Sequence, residues 1–301
     1  MSSEIIILQH IVPQKDFGST RFCDYCGGIF DGLPTKSSVK KAISKGELFI
    51  DGKSATDGRF VVPGQLIEWR RKIQIPDRLF EMEVPVIFED DHLAVVNKPA
   101  GVVVSGNRFQ TLENALLGIL QPSTQPDALL VPHAIHRLDA DTSGLVIIGK
   151  TTSAHLELSN RMAQREIKKF YSALVLGSTP VSGTFNHPID EKTAITHFQT
   201  IKKFDSLVSG VLSLLRIELE TGRTHQIRKH LSQAGFPILG DKLYGQTGFI
   251  LRQRGLFLCA SQLIFDHPAT NENLNLSLHL PTKFIKFPEG EQKRFNKYRI
   301  L

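Results

Sequence analysis

Nine consecutive residues, His136-Arg137-Leu138-Asp139-Ala140-Asp141-Thr142-Ser143-Gly144, carry the densest concentration of reactive side chains in the chain. A carboxylate held beside fixed cations stays ionised, because neighbouring positive charge favours the charged form. Asp139 can therefore serve as a nucleophile or a base at neutral pH. Leu138 reads as an apolar anchor for the loop, and Asp141, Thr142 and Ser143 can bond local backbone amides and stiffen the turn. The plainer reading of such a stretch is a salt-bridged surface turn.

Two basic clusters accompany it. Arg161, Arg165, Lys168 and Lys169 precede Tyr171, and Arg223, His225, Arg228, Lys229 and His230 fall within eight residues of one another. Such charges can hold a phosphate backbone without reading its sequence, or simply solvate a helix face. Cys23 and Cys26 form a C-x-x-C pair, but Cys259 is the one other cysteine, whereas a structural zinc site takes four ligands. The pair reads as two small side chains on a helix. A serine hydrolase is disfavoured, since no G-x-S-x-G elbow occurs.

The elements that must position these groups fall into two regions. In residues 1–75, Ile5–Val12 reads as a strand or lead-in, Arg21–Phe30 begins a helix, and Leu33-Pro34 breaks it. Thr35 or Ser37 can cap a second helix running through Lys45, with Val39, Ala42 and Ile43 on one face. Glu47–Asp51 alternates as a strand into the turn Asp51-Gly52, and Phe60–Val62 and Leu66–Trp69 read as further strands. Ile73–Glu83 reads as a linker. Within residues 76–301, strands are expected at Val84–Phe88, Leu93–Asn97, Leu145–Gly149, Tyr171–Leu176 and Leu212–Glu220. Helices are expected at Leu112–Leu120, Ser153–Gln164 and Thr224–Ala234, and Lys283–Arg299 as a solvated basic tail. Strands outnumber helices without regular alternation, so the fold class expected is α+β rather than doubly wound.

Composition bounds the rest. The 301 residues include 36 Lys and Arg against 30 Asp and Glu, a formal charge of +6, which suits a polyanionic partner without requiring one. Hydrophobic residues at 41% exclude a wholly disordered chain. No apolar run approaches the roughly 20 residues of a membrane span. The start Met1-Ser2-Ser3-Glu4 lacks a basic lead, so no secretory signal is expected. Scarce, odd-numbered cysteines suit a reducing cytoplasm.

The nine-residue segment resembles the H-R-L-D-x-x-T-S-G signature of the RluA-type pseudouridine synthases at every fixed position. Asn97-Lys98-Pro99-Ala100-Gly101 upstream, Lys169-Phe170-Tyr171 downstream, Thr221-Gly222-Arg223-Thr224-His225-Gln226-Ile227-Arg228 and then Gly240-Asp241-Lys242-Leu243-Tyr244-Gly245 follow the family's order. Residues 1–75 resemble the S4-like RNA-binding module, which commonly precedes this catalytic domain. Cys23 stands where that module has Asp, and Lys36 stands near its Arg. Cys259 occupies a position where His is common, and Ser105-Gly106-Asn107 replaces a His-Pro-type segment.

The resemblance implies a mainly antiparallel catalytic domain over residues 76–301. It implies an isomerase that converts uridine in RNA to its C-glycoside, with no cofactor and no metal. Asp139 would attack or deprotonate the ribose, or add to the base. Tyr171 would stack on the uracil and help move the C5 proton, and Arg228 would pair with Asp139. His136, Arg137, Thr142, Lys169, Arg223, His225 and Ile227 would hold the substrate. A base in a helix must be flipped out before its glycosidic bond can be reached. The partner expected is RNA, ribosomal first and transfer RNA second, with no membrane and a monomeric state. Rival readings are a non-catalytic RNA-binding protein and a carboxylate-dependent glycosidase, which would need a second acid such as Asp141 or Asp241.

Overall fold

In the computed structural model, residues 2–14, 20–30, 33, 35–75, 79–207, 209–246, 248 and 254–298 are described, with backbone alone for 2–7 and 71–75. The chain divides into two compact units, Met1–Leu79 and Phe80–Leu301.

The first unit contains β1 (Ser2–Ile11), α1 (Phe22–Cys26), α2 (Lys36–Ser44), β2 (Leu48–Ile50), β3 (Lys53–Ser54) and β4 (Leu66–Ile75). The strands form one antiparallel sheet in the order β1-β4-β2-β3. Thr35 starts α2 with a reciprocal cap: its hydroxyl accepts the Ser38 N–H at 3.2 Å, and the Ser38 hydroxyl accepts the Thr35 N–H at 3.0 Å. Two of the first-turn orphan donors are thereby satisfied. The β2–β3 hairpin turns on Asp51 and Gly52, both at positive φ, as a tight hairpin of this twist requires. Phe22, Cys23, Cys26, Val39 and Ala42 pack with Leu48, Ile50, Ile67 and Trp69 into one core. Burial lifts the Cys23 thiol to about 11 and the Cys26 thiol to about 12, so both are inert core side chains.

Two expectations fail here. Phe60–Val62 is not a strand; Phe60 pairs singly with Arg21. The start of the expected linker, Ile73–Ile75, continues β4 against Ser2–Glu4, while residues 76–78 lie outside the described residues.

The second unit contains β5 (Val86–Glu89), β6 (Leu93–Lys98), α3 (Leu112–Leu116), β7 (Ala128–Ala134), β8 (Ser143–Thr151), α4 (Thr152–Gln164), β9 (Lys168–Leu176), β10 (Ser182–Phe185), β11 (Thr196–Ser206), β12 (Gly210–Leu219), α5 (Gln226–Gln233), β13 (Leu258–Asp266), β14 (Asn273–Ser277) and α6 (Lys283–Tyr298). Its sheet runs β10-β11-β12-β9-β13-β8-β6-β5, with β14 on β13 and β7 on β8. Among the described residues, the β8–β13 pair alone is parallel. The α+β, mainly antiparallel class is as expected.

Strand β8 is buried on both faces. Val146 and Ile148 enter one core, and Leu145 and Ile147 enter the other, beside Leu158 of α4. A strand covered on both sides reads as a continuous apolar run. Residues 283–298 are not a solvated tail. They form α6, whose Phe284 is buried against Phe257 at 5.4 Å between ring centroids, and whose Glu291 accepts the Ser206 hydroxyl at 2.7 Å. Arg299 lies outside the described residues.

The β8–β13 junction places the chemistry. Gly144 pairs with Ala260, and Ala260 also pairs with Tyr171 of β9. Gly144 has φ +121°, and a Cβ there would stand 2.3 Å from the Ala260 carbonyl oxygen. No other residue permits that approach, so the last position of the nine-residue segment is set by backbone contact.

Candidate active site

The loop between β7 and β8 carries Asp139 to the mouth of a cavity of about 120 Å³. The Thr142 N–H donates to the Asp139 carbonyl at 3.1 Å, closing the turn. Beneath it, the fully buried Lys98 ammonium donates to the carbonyls of Pro99, Val102 and Ala140 at 2.9, 2.7 and 3.0 Å. Burial pulls Lys98 down to about 8, against the attraction of Asp139 and Asp141. A single side chain thus joins the Asn97–Gly101 turn to the Asp139 loop.

Helix α5 supplies the opposite wall. Its entry is locked by the buried Gln226 side chain. The Gln226 carbonyl accepts from the Thr221 hydroxyl (2.7 Å) and the Arg223 N–H (3.0 Å). Its amide donates to the Ile195 carbonyl and the Thr196 hydroxyl, both at 2.9 Å. Two residues later Arg228, also buried, donates from Nε and Nη2 to the two oxygens of buried Asp241, each at 2.7 Å. Its Nη1 lies 3.4 Å from Asp139 Oδ2. The fork of a guanidinium fits a carboxylate in two parallel bonds. Burial alone would lower the Arg228 value, but Asp241 and then Asp139 outweigh it and raise it. Burial would likewise raise Asp241, but Arg228 and the N–H groups of Tyr244 and Leu243 hold it below the usual carboxylate range.

Tyr171 lines the same cavity. Burial, with Asp139 and Cys259 nearby, pushes its phenol well above its ordinary value, so it is protonated. Leu138, Leu219, Ile227 and Leu258 provide apolar walls. Thr142 is 2% exposed and lines the cavity, and its hydroxyl has no hydrogen-bond partner among the described residues. A buried hydroxyl without a partner is costly.

The residues singled out from sequence separate into two groups. Asp139, Tyr171, Arg228, Arg137, Thr142, Arg223, His225 and Ile227 come together around the cavity. His136 and Lys169 do not line it. The His136 Nε2 accepts the Ile147 N–H at 3.2 Å, extending the β7–β8 pairing beyond Ala134, and burial and Lys169 hold the ring down to about 3, hence neutral. The Lys169 ammonium sits 3.3 Å from the Met162 sulfur beside α4. The expected basic surfaces are also smaller than their composition. His230 is fully buried, between the Thr196 hydroxyl and the His187 carbonyl, and Arg161 is held by Glu157, the Asp266 carbonyl and Asn271.

Residues 92–233 match the family profile described as RNA pseudouridylate synthase. The chain is 32% identical over 286 residues, 83% of its length and 86% of the relative's, to the "Ribosomal large subunit pseudouridine synthase D" of Pseudomonas aeruginosa. This chain belongs to the RNA pseudouridylate synthase family. The "Uncharacterized RNA pseudouridine synthase YlyB" of Bacillus subtilis is 31% identical over 86% of this synthase and 90% of its own length. Human RNA Pseudouridylate Synthase Domain Containing 1, 22% identical, shares the fold with a TM-score of 0.56 over 69% of this chain and 87% of its own. The synthase is an isomerase that converts uridine in RNA to pseudouridine: the C1′–N1 bond breaks, a C1′–C5 bond forms, C5 loses a proton and N1 gains one.

Lys98 and Gln226 are positioning residues with no role in the sequence reading, and Asp241 enters it only as a spare acid for a rival reaction. Each lies inside a quoted motif, so the signal was present. What the motifs lack is the partner, since Lys98 meets Ala140 and Gln226 meets Ile195 only after folding. Asp241 was weighed as a spare catalytic acid, but its paired burial with Arg228 makes it an anchor.

Proposed function

We propose that the synthase isomerises uridine in large-subunit ribosomal RNA, with Asp139 as the residue that acts on the nucleoside. The observation that carries the site assignment is the placement of the Asp139 carboxylate. It stands at the mouth of the cavity, half-buried, with Arg228 on one oxygen and the protonated Tyr171 among the walls. Asp139 attacks or deprotonates the ribose, or adds to the base. Tyr171 presents its ring to the flipped uracil and its hydroxyl to the proton traffic at C5. Arg228 orients Asp139. Thr142 supplies a hydrogen bond to the bound nucleotide, Ile227 an apolar wall, and Arg137 and Arg223 contacts to the RNA backbone at the rim.

The target class is supported by relatives of 30–38% identity named for the large ribosomal subunit. The first unit, with two helices on a four-stranded sheet and a tight Asp51-Gly52 hairpin, suits the S4-like RNA-binding role. Cys23, Cys26 and Cys259, buried as free thiols, suit a reducing cytoplasm. In the described residues no helix is long and apolar enough to cross a membrane. The synthase acts as a monomer.

Asp139→Asn tests the site. Tritium release from C5-labelled RNA is expected to fall below detection, with RNA affinity and melting temperature nearly unchanged. Full turnover by that variant would refute the assignment. Pseudouridine mapping of total RNA from cells lacking the protein tests the target, and a loss confined to transfer RNA would overturn the ribosomal reading.

A further inference from the structure

We infer that His225 is a positioning residue for Asp139, its ring held between that carboxylate and the hydroxyl of Tyr244. The inference rests on the reading that Asp139 acts on the nucleoside. In the sequence reading His225 belongs to a basic cluster facing RNA phosphates. The geometry gives it different work.

His225 occupies the N-cap of α5, a place where Ser, Thr, Asp or Asn usually accepts a helix N–H. Its side chain makes no such bond, and its backbone is left-handed at φ 57°, ψ 27°. A non-glycine residue in that region is uncommon. Its ring spans Asp139 and Tyr244. Nε2 lies 3.6 Å from Asp139 Oδ1, and Nδ1 lies 3.0 Å from the Tyr244 hydroxyl.

The carboxylate selects the proton placement, and the Tyr244 hydroxyl, which can donate or accept, accommodates it. A neutral imidazole carries its proton on one nitrogen and a lone pair on the other. With the proton on Nδ1, the Nε2 lone pair would face a carboxylate oxygen and be repelled. With Tyr244 donating into Nδ1, the proton sits on Nε2 and points at Asp139. Tyr244 is itself fixed. Its N–H donates to Asp241 Oδ1 at 3.1 Å, its carbonyl accepts the Ser232 hydroxyl at 2.7 Å, and the Arg228 guanidinium lies over its ring at 5.3 Å.

Two arms therefore run from Asp241 to Asp139. One passes through Arg228 to Oδ2, and the other passes through Tyr244 and His225 to Oδ1. At 3.6 Å the second contact is longer than a good hydrogen bond, and contacts of this kind commonly tighten when substrate is bound. With Arg228 at one oxygen and His225 beside the other, the carboxylate is flanked on both sides. A ring engaged at both nitrogens has none to spare for a phosphate.

The full-length protein with and without Tyr244→Phe, labelled with nitrogen-15 at histidine, tests the tautomer directly. Long-range proton–nitrogen correlation spectra are expected to show His225 protonated at Nε2 and bare at Nδ1, with the Nδ1 resonance shifted in Tyr244→Phe as its hydrogen bond is lost. An unchanged His225 spectrum in the variant would overturn the inference, and so would a proton found on Nδ1 in the parent protein. Single-turnover rates on saturating ribosomal RNA fragments give the second readout. Tyr244→Phe and His225→Ala are each expected to slow the bound step by about 10- to 100-fold, the double variant no more than His225→Ala, with RNA affinity and its salt dependence unchanged. Weakened affinity at an unchanged bound rate would make His225 a phosphate contact instead. His225→Asn, which tolerates the left-handed backbone, replaces the alanine variant if that one does not fold. Asp139→Asn, run alongside, separates the two readings: its activity would refute the role of Asp139, while the tautomer measurement stands apart from turnover.

Discussion

Arg228 and Asp241 illustrate why charge inside this protein is a matter of pairing. Each is nearly fully buried, and each would be expensive alone. Asp241→Asn leaves the guanidinium with a neutral partner and is expected to cost about 3–5 kcal/mol in urea unfolding. The pH dependence follows from the lowered Asp241 value. A depressed carboxyl contributes stability that is complete above its unfolded value, near pH 4, and is lost as pH falls through the folded one. The Asp241→Asn penalty should therefore shrink in melts taken below about pH 4. Thr142 makes the opposite case, a buried hydroxyl without a partner. Thr142→Val keeps the shape and removes the unsatisfied group, so thermal stability should hold or rise. The single-turnover rate should fall by about tenfold, the worth of one hydrogen bond. A faster variant would contradict its role toward the nucleotide.

At the scale of elements, α6 is where sequence and structure part most clearly. Its Pro288 and Gly290 argue against a helix and its lysines suggest solvent, yet Phe284, Pro288 and Glu291 turn inward. Phe284→Ala is expected to destabilise the second unit by about 3–5 kcal/mol, read from the urea midpoint. The strands β6, β8, β9 and β12 and the helices α4 and α5 were legible because their apolar spacing is regular. Strand β11 was not, because the register shift between Thr200 and Lys202 breaks its alternation. The same distinction holds in the site. Asp139, Tyr171 and Arg228 stand in recognisable motifs, and the fold brings all three to one cavity. His136 looks equally chemical in the sequence. The pairing of β7 with β8 makes it an acceptor for Ile147, which no local pattern announces.

At the scale of the whole molecule, the formal charge of +6 is spread over two units with separate cores. In the first unit Lys36 and Lys40 are paired with Asp24 and Asp57, so bulk charge overstates what is available to RNA. A chain beginning at Phe80 should fold on its own core and keep the bound-state rate, while RNA affinity falls and its salt dependence flattens. Unchanged affinity across a salt titration would remove the first unit from RNA binding. A much smaller feature, the side-chain amide of Gln226, holds the entry to α5. It donates two hydrogens, to the Ile195 carbonyl and the Thr196 hydroxyl. Slow hydrolysis of that amide to a carboxylate would leave oxygen facing oxygen at the Ile195 carbonyl, and would loosen the entry to α5. The tight seal around Gln226, 3% exposed, is thus also a barrier to the water that such hydrolysis needs.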